Sequence, residues 1–138
     1  MLKPKLVNSR TRDRLAEAAM ACLFGRPWRS FRLMRAVVSA YYPDIPRSVE
    51  RKVCPFCGKH LALRRAFYVH VRVHRNEIDK IAYDCADKYV ELIKSIRALP
   101  RRGYRVKGIL RVFNSFRELT EYLVENPEYV KKALGGLA

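Results

Sequence analysis

The chain has 138 residues, 49% of them hydrophobic, which excludes both a multi-domain array and a wholly disordered chain. Its formal net charge of +16 is well above the about 2–8 charges that suffice for solubility, so a polyanionic partner is expected. No apolar run of membrane-spanning length occurs, and the segment from Met1 to Lys5 does not resemble a signal peptide. We therefore expect a protein that is not secreted and that is either intracellular or packed inside a particle made in a cell.

The positive charge is concentrated in the first half of the chain. Residues 1–75 contain 17 lysines and arginines against 4 acids, whereas residues 76–138 contain 12 against 9. An acidic membrane surface is an alternative counterpart, although no separate basic amphipathic anchor is present. The absence of glutamine, together with many charged residues, is typical of a heat-adapted source.

Residues 1–50 are predicted to form a basic helical arm. Ser9 or Thr11 can cap a helix that runs to Phe24 and is stopped by Gly25. Pro27 suits the first turn of a second helix over about 27–42, which Pro43 to Pro46 break, and residues 47–53 lead into the finger. Arginines in a first helical turn oppose the helix dipole, and a bound phosphate would reverse that penalty; the alternative is that they simply point into water. The arginines of this arm that we predict to contact phosphate are Arg10, Arg12, Arg14, Arg26, Arg29, Arg32 and Arg35.

Residues 51–75 contain a motif with metal-binding chemistry. Two residues separate Cys54 from Cys57, twelve separate Cys57 from His70, and three separate His70 from His74. Two cysteines across a tight turn and two histidines on one helical face provide the four tetrahedral ligands of a structural zinc ion. The spacing predicts one structural Zn²⁺ with no open position for a catalytic water. A redox Cys-x-x-Cys pair is the rival interpretation, but it does not account for the histidines.

This stretch closely resembles the C₂H₂ zinc-finger family, and Leu61 and Phe67 occupy the positions of its small apolar core. The resemblance implies a ββα finger. In that family three helix positions contact bases, and the matching residues here are Leu63, Ala66 and Val69. Apolar side chains cannot make the bidentate hydrogen bonds that distinguish base pairs, so we interpret the finger as a structural element. Its candidate phosphate contacts are Arg64, Arg65 and Arg72.

Residues 76–138 are predicted to form a C-terminal helical region. A helix is expected from about Asn76 to Leu99, unless the finger helix simply runs on, and a short strand or hairpin is expected near 104–113. A second basic cluster without acids adds the candidate contacts Arg101, Arg102, Arg105 and Lys107.

The end of the chain carries two further helix signals. Ser115 and Glu118 fit a capping box for a helix to about Glu125, and Asn126-Pro127 cap a last helix that Gly135-Gly136 end. The fold class predicted is therefore mostly α, a helical protein with an inserted ββα C₂H₂ finger and one short strand or hairpin. The remaining cysteines, Cys22 and Cys85, lie on apolar helix faces and are expected to be buried free thiols.

The basic helices of residues 9–42 and the closing segment from Tyr122 to Gly136 resemble the nucleocapsid proteins of filamentous archaeal viruses. In that family a helical arm wraps the duplex and a C-terminal bundle packs between subunits. The resemblance implies sequence-nonspecific packaging of double-stranded DNA, with self-association or a partner subunit in a larger assembly.

Two other functions remain open, a ribosome-associated protein that binds rRNA and a transcription regulator. An enzyme is not expected, because His60 is the only histidine outside the metal set and no motif frames a pair of carboxylates. A small-molecule substrate is not expected either.

Overall fold

The computed structural model describes residues 8–24, 32–101 and 103–135. The described chain is mostly helical with one small antiparallel sheet, which confirms the predicted mainly α fold with a short hairpin. The helices are α1 Ser9–Leu23, α2 Arg32–Tyr41, α3 Asp44–Arg51, α4 Arg64–Val71, α5 Arg75–Lys94, α6 Phe116–Glu125 and α7 Glu128–Ala133. The strands are β1 Ile96–Leu99 and β2 Gly103–Val106, and a 3₁₀ turn, Arg72–His74, joins α4 to α5.

Helix α5 is the centre of the fold. Helix α1 lies along it, and α2 packs against α1, α5, α6 and α7. Arg12 near the start of α1 contacts Asp87 in the second half of α5, whereas Phe24 after α1 accepts a hydrogen bond from Tyr68 of α4. The two long helices are therefore antiparallel. Their apolar faces close a main core whose fully buried side chains include Leu23, Met34, Val37, Cys85, Leu92, Phe113, Leu119 and Leu123.

The N-cap of helix α1 lies one residue before Ser9, the earlier of its two predicted caps. Asn8 is the capping residue, and its Oδ1 accepts a hydrogen bond from the backbone N–H of Thr11 at 2.8 Å. Ser9 and Thr11, the predicted caps, are already helical. An extended asparagine reaches the free N–H groups of the first turn as well as serine does, so Asn8 takes the place of the predicted caps. The predicted stop at Gly25 lies outside the described residues.

Helix α2 ends at Tyr41, in agreement with the predicted break before Pro43. A further helix that was not predicted, α3, follows at Asp44–Arg51 and leads into the finger segment. Pro46 falls in the first turn of α3, where a backbone N–H has no helical acceptor and its absence costs nothing. Lys52 then adopts φ 56°, which reverses the chain toward Cys54.

The hairpin lies earlier in the chain than predicted. Helix α5 ends at Lys94 rather than continuing to Leu99, and residues 96–99 form β1, which pairs with β2 in the register Ile96↔Val106. The predicted strand near 104–113 contributes β2 and a single bridge between Tyr104 and Phe113. Proline disfavours helical backbone in the residue before it, so Pro100 favours an extended conformation at the end of β1, which pairs with β2 across the turn.

The C-terminal helices follow their predicted signals closely. Ser115 Oγ accepts a hydrogen bond from the N–H of Glu118 at 3.1 Å, and α6 ends at Glu125 as expected. Pro127 occupies the N-cap position of α7, whereas the side chain of Asn126 does not cap this helix and instead donates to the carbonyl of Tyr122. None of the described helices is long and apolar enough to cross a membrane.

Candidate metal centre

Four metal-binding side chains converge between α3 and α5. The ligand atoms of Cys54, Cys57, His70 and His74, which we call the Cys/His cluster, all lie within 4.8 Å of one another. The Cys57 Sγ and His70 Nε2 atoms are 3.3 Å apart. Tetrahedral zinc with bonds of about 2.3 Å to sulfur and about 2.0–2.1 Å to nitrogen would place such atoms about 3.6 Å apart. The cluster is therefore compatible with one tetrahedral ion in a zinc-finger-like site.

A tight turn holds the two cysteines. The N–H of Cys54 donates to the carbonyl of Lys59, and the N–H of Gly58 donates to the carbonyl of Cys54, each at 2.8 Å. Gly58 has φ +79°, so it supplies the left-handed conformation that the turn requires.

The two strands expected ahead of the finger helix are absent from this described segment, where Val53 and His60 form a single bridge. Because α3 extends to Arg51, too few residues remain before Cys54 to build a strand.

The histidines come from the α4–α5 junction. His70 lies in the last turn of α4 and His74 ends the 3₁₀ turn, from which the chain continues directly into α5. The structure therefore agrees with the alternative in which the finger helix continues into the next helix, with only the 3₁₀ turn Arg72–His74 between α4 and α5. The two imidazole centroids are 5.4 Å apart.

The environment of His74 tests whether a metal fits. Its Nδ1 lies 3.0 Å from Glu77 Oε1, whereas its Nε2 is buried and has no hydrogen-bond partner among the described residues. A buried ring nitrogen without a partner is costly, and a metal ion held by the cluster would satisfy it. The two thiols and two imidazoles also form the donor set that structural zinc prefers, so the residues present fit the ion.

The cysteine that is exposed favours its metal-binding form. Hydrogen bonds to its sulfur from the backbone N–H of Lys59 and from His70 lower the pKa of Cys57 to about 6, and the neighbouring His74 imidazole lowers it further. The pKa of His74 is raised, mainly by Cys57 and then by Glu77. Because the thiolate is the form that binds metal, Cys57 is ready to act as a ligand at neutral pH.

A second, smaller core supports the cluster. Phe67 is fully buried and Leu61 partly so, as the sequence predicted for the finger core. This core also includes Val49 of α3 and Ile78 of α5, with Met20 of α1 packed against it. The Cys/His cluster is therefore packed against three other helices, and a metal ion bound there would stabilise their junction.

Glu77 is a residue of the site that the sequence analysis missed. Its carboxylate orients the His74 ring, as carboxylates commonly do for metal-binding imidazoles. The available signal was its position three residues after His74, which places both side chains on one helical face.

We expect Glu77→Gln to weaken zinc binding by about 10–100-fold while leaving the stoichiometry at one ion, because the imidazole loses its negatively charged acceptor. Competition with a chromophoric chelator measures this affinity. Asp79→Asn is the matched control, since Asp79 lies on the same helix but pairs with Arg75. Equal affinities for the Glu77 variant and the wild type would contradict a role for this carboxylate.

The finger helix presents an apolar surface to solvent. Leu63, Val69 and Val73 are 66%, 58% and 76% exposed, and Ala66 between them is half-buried. The positions that read bases in the C₂H₂ family are thus accessible here, but their side chains cannot form base-specific hydrogen bonds.

Two of the predicted phosphate contacts already have acidic partners. Arg12 forms two hydrogen bonds to Asp87, at 2.9 and 3.0 Å, and its guanidinium lies 4.6 Å from the centre of the Tyr83 ring. The hydrogen bond to Asp87 is also the main reason that the pKa of Arg12 is raised. Arg32 lies 3.7 Å from Glu121. The negative charge of these carboxylates offsets the positive charge of the two arginines, which weakens the attraction of either arginine for a phosphate.

The other predicted contacts in the described part of the chain are exposed, and no described carboxylate forms an ion pair with them. They are Arg10, Arg14, Arg35, Arg64, Arg65, Arg72, Arg101, Arg105 and Lys107. The predicted contacts Arg26, Arg29 and Arg102 lie outside the described residues.

These cations occupy both ends of α5 rather than one patch. Because α1 is antiparallel to α5, Arg10 lies toward the end of α5 that leads into the hairpin, whereas Arg72 directly precedes its start. A helix of 20 residues is about 30 Å long, so the two groups are widely separated.

Comparison of the chain with known protein families, curated proteins and solved structures finds no match.

Proposed function

We propose that the Cys/His cluster binds one structural Zn²⁺ as a C₂H₂-type finger. The donor set of two thiols and two imidazoles supports this role, as does the buried His74 Nε2, which a metal would satisfy. Four protein ligands leave no coordination position for a substrate or an activated water. The role of the ion is then to hold the turn of Cys54 and Cys57 against α4, and through the smaller core against α1, α3 and α5.

We further propose that the zinc-loaded chain binds nucleic acid through its phosphates, with double-stranded DNA as the favoured partner and packaging as the function. The observation that carries this proposal is the set of nine exposed, predicted contacts that have no acidic partner among the described residues, in a chain of net charge +16. Such a surface repels itself unless a polyanion neutralises it.

The same surface supports binding without sequence preference. Arginines and lysines on helix surfaces contact phosphates, which are identical in every sequence. The exposed apolar residues Leu63, Val69 and Val73 do not supply base recognition through hydrogen bonds, which disfavours a transcription regulator. They suit a contact with another subunit, in keeping with a protein that assembles along DNA. Binding to rRNA is the second candidate, because phosphate recognition alone is common to both nucleic acids.

A competition experiment distinguishes these functions. The full-length, zinc-loaded protein is titrated onto a labelled duplex and challenged with an unrelated duplex of equal length and with a folded RNA. Packaging predicts equal competition by both duplexes and weaker competition by RNA. A specificity ratio of about 10³ or more for one duplex would support a regulator instead. Stronger competition by the RNA would support the ribosomal alternative.

A further inference from the structure

The β1–β2 hairpin places two arginines directly opposite each other. Arg97 of β1 is the register partner of Arg105 of β2, and both side chains are exposed. Side chains paired in this way have Cβ atoms about 4.5–5.5 Å apart, and like charges at that separation destabilise a sheet. Hydrophobic or oppositely charged pairs would stabilise the same hairpin, so folding alone does not explain this pair.

Further cations surround the pair in a concave surface. Lys94 and Lys107 line the same cavity of about 910 Å³ as the two arginines. The apolar part of its wall comes from Ile96, Ala98, Leu99, Val106, Ile109 and Leu110. No acidic residue lines this cavity, and no carboxylate of the described chain forms an ion pair with any of these four cations. We call the four residues Lys94, Arg97, Arg105 and Lys107 the basic hairpin.

We propose that the basic hairpin is a discrete binding site for the phosphodiester backbone of nucleic acid, in which Arg97 and Arg105 converge on one phosphate. The inference rests on the proposed function and goes further by assigning it to a particular surface. Two guanidiniums that face each other across a strand pair can both donate to the oxygens of a single phosphate. Each guanidinium is attracted to the bound phosphate, and this attraction offsets their mutual repulsion, so the pair is more stable in the complex than in the free protein.

The position of the hairpin extends the site to the start of α1. Arg12 contacts Asp87 in the second half of α5, and α5 continues from there through Lys94 into β1. Arg10 and Arg14 are exposed on this part of α1 and have no acidic partner among the described residues. A nucleic-acid strand seated on the basic hairpin therefore has further phosphate contacts at the same end of the molecule.

The double variant Arg97→Gln/Arg105→Gln tests the proposal on the zinc-loaded, full-length protein with two readouts. Duplex affinity is measured as a function of salt, and we expect the slope of log Kobs against log[salt] to become shallower by about 1, because the two arginines share one phosphate. Between about 50 and 200 mM salt, that change amounts to about a fourfold smaller loss of affinity. The melting temperature of the free protein at low salt should rise by about 1–4 °C, because the opposed charges are gone.

The control is Arg47→Gln/Arg75→Gln, which removes the same total charge. Unlike the hairpin arginines, Arg47 and Arg75 form ion pairs, with Asp44 and Asp79 respectively. We expect its salt slope to stay close to that of the wild type. If the salt slope of the hairpin variant equals that of the wild type or of the control, the proposal is overturned. In that case the proposed function still stands as long as the wild type binds duplex DNA. Failure of the wild type to bind duplex would refute both.

Discussion

Replacement of Cys57 by alanine is expected to abolish zinc binding and to unfold the chain around the Cys/His cluster. The smaller core there has few buried residues, among them Val49, Phe67 and Ile78, and is too small to stay folded by itself. Zinc contributes on the order of 10 kcal/mol to the folding of isolated finger peptides. The main core around α2, α5 and α6 does not contain the cluster and should persist. Metal content and hydrogen exchange over residues 52–75 measure both effects.

Cys85→Ala is the matched control for this variant. Cys57 is exposed, so its truncation removes little packing, and any large loss of stability reports the metal. Cys85 is fully buried in the main core, where burial raises the pKa of its thiol to about 12. Its truncation should cost about 1 kcal/mol through the small cavity it leaves, with one zinc ion retained. A Cys57 variant that still binds one zinc ion, or exchanges no faster than the wild type, would refute the structural role of the site.

The variant Arg10→Ala/Arg14→Ala should weaken duplex binding by the same factor for every sequence. Both arginines are exposed near the start of α1 and have no acidic partner in the described chain. Each lost phosphate contact should make the slope of log affinity against log salt shallower by about 1. Fluorescence anisotropy with two unrelated duplexes over a range of salt concentrations measures the slopes and the affinity ratio.

Arg12→Ala separates phosphate binding from helix packing in the same turn. Its guanidinium is held by Asp87 and Tyr83, so its loss should lower the free energy of unfolding, by about 0.2–1 kcal/mol for a solvent-exposed ion pair. The salt slope should change less than in the Arg10/Arg14 variant. If Arg12→Ala weakened duplex binding as much as the double variant does, the exposed ion pair would have to open on binding.

The features that the sequence predicted well depend on local spacing. The Cys/His cluster follows from the intervals between Cys54, Cys57, His70 and His74, which are set by one turn and one helical face. The capping box of Ser115 and Glu118 likewise requires only three residues of chain. Such signals do not depend on the rest of the fold, so they could be read from the sequence.

The features that the sequence analysis missed depend on tertiary contacts. Residues 96–99 continue the apolar pattern of α5, and only their pairing with β2 makes them a strand. Arg12 looked like a free cation because its partner Asp87 is 75 residues away. The opposition of Arg97 and Arg105 also depends on the register of the hairpin, which composition does not specify.

The salt dependence of duplex binding by the zinc-loaded wild type tests the central claim most directly. If the unpaired cations exist to neutralise phosphates, log affinity should fall linearly with log salt, with a slope steeper than about −4 that is the same for unrelated sequences. A chain that binds DNA no better than a neutral protein of its size at low salt, or whose affinity does not respond to salt, would contradict it.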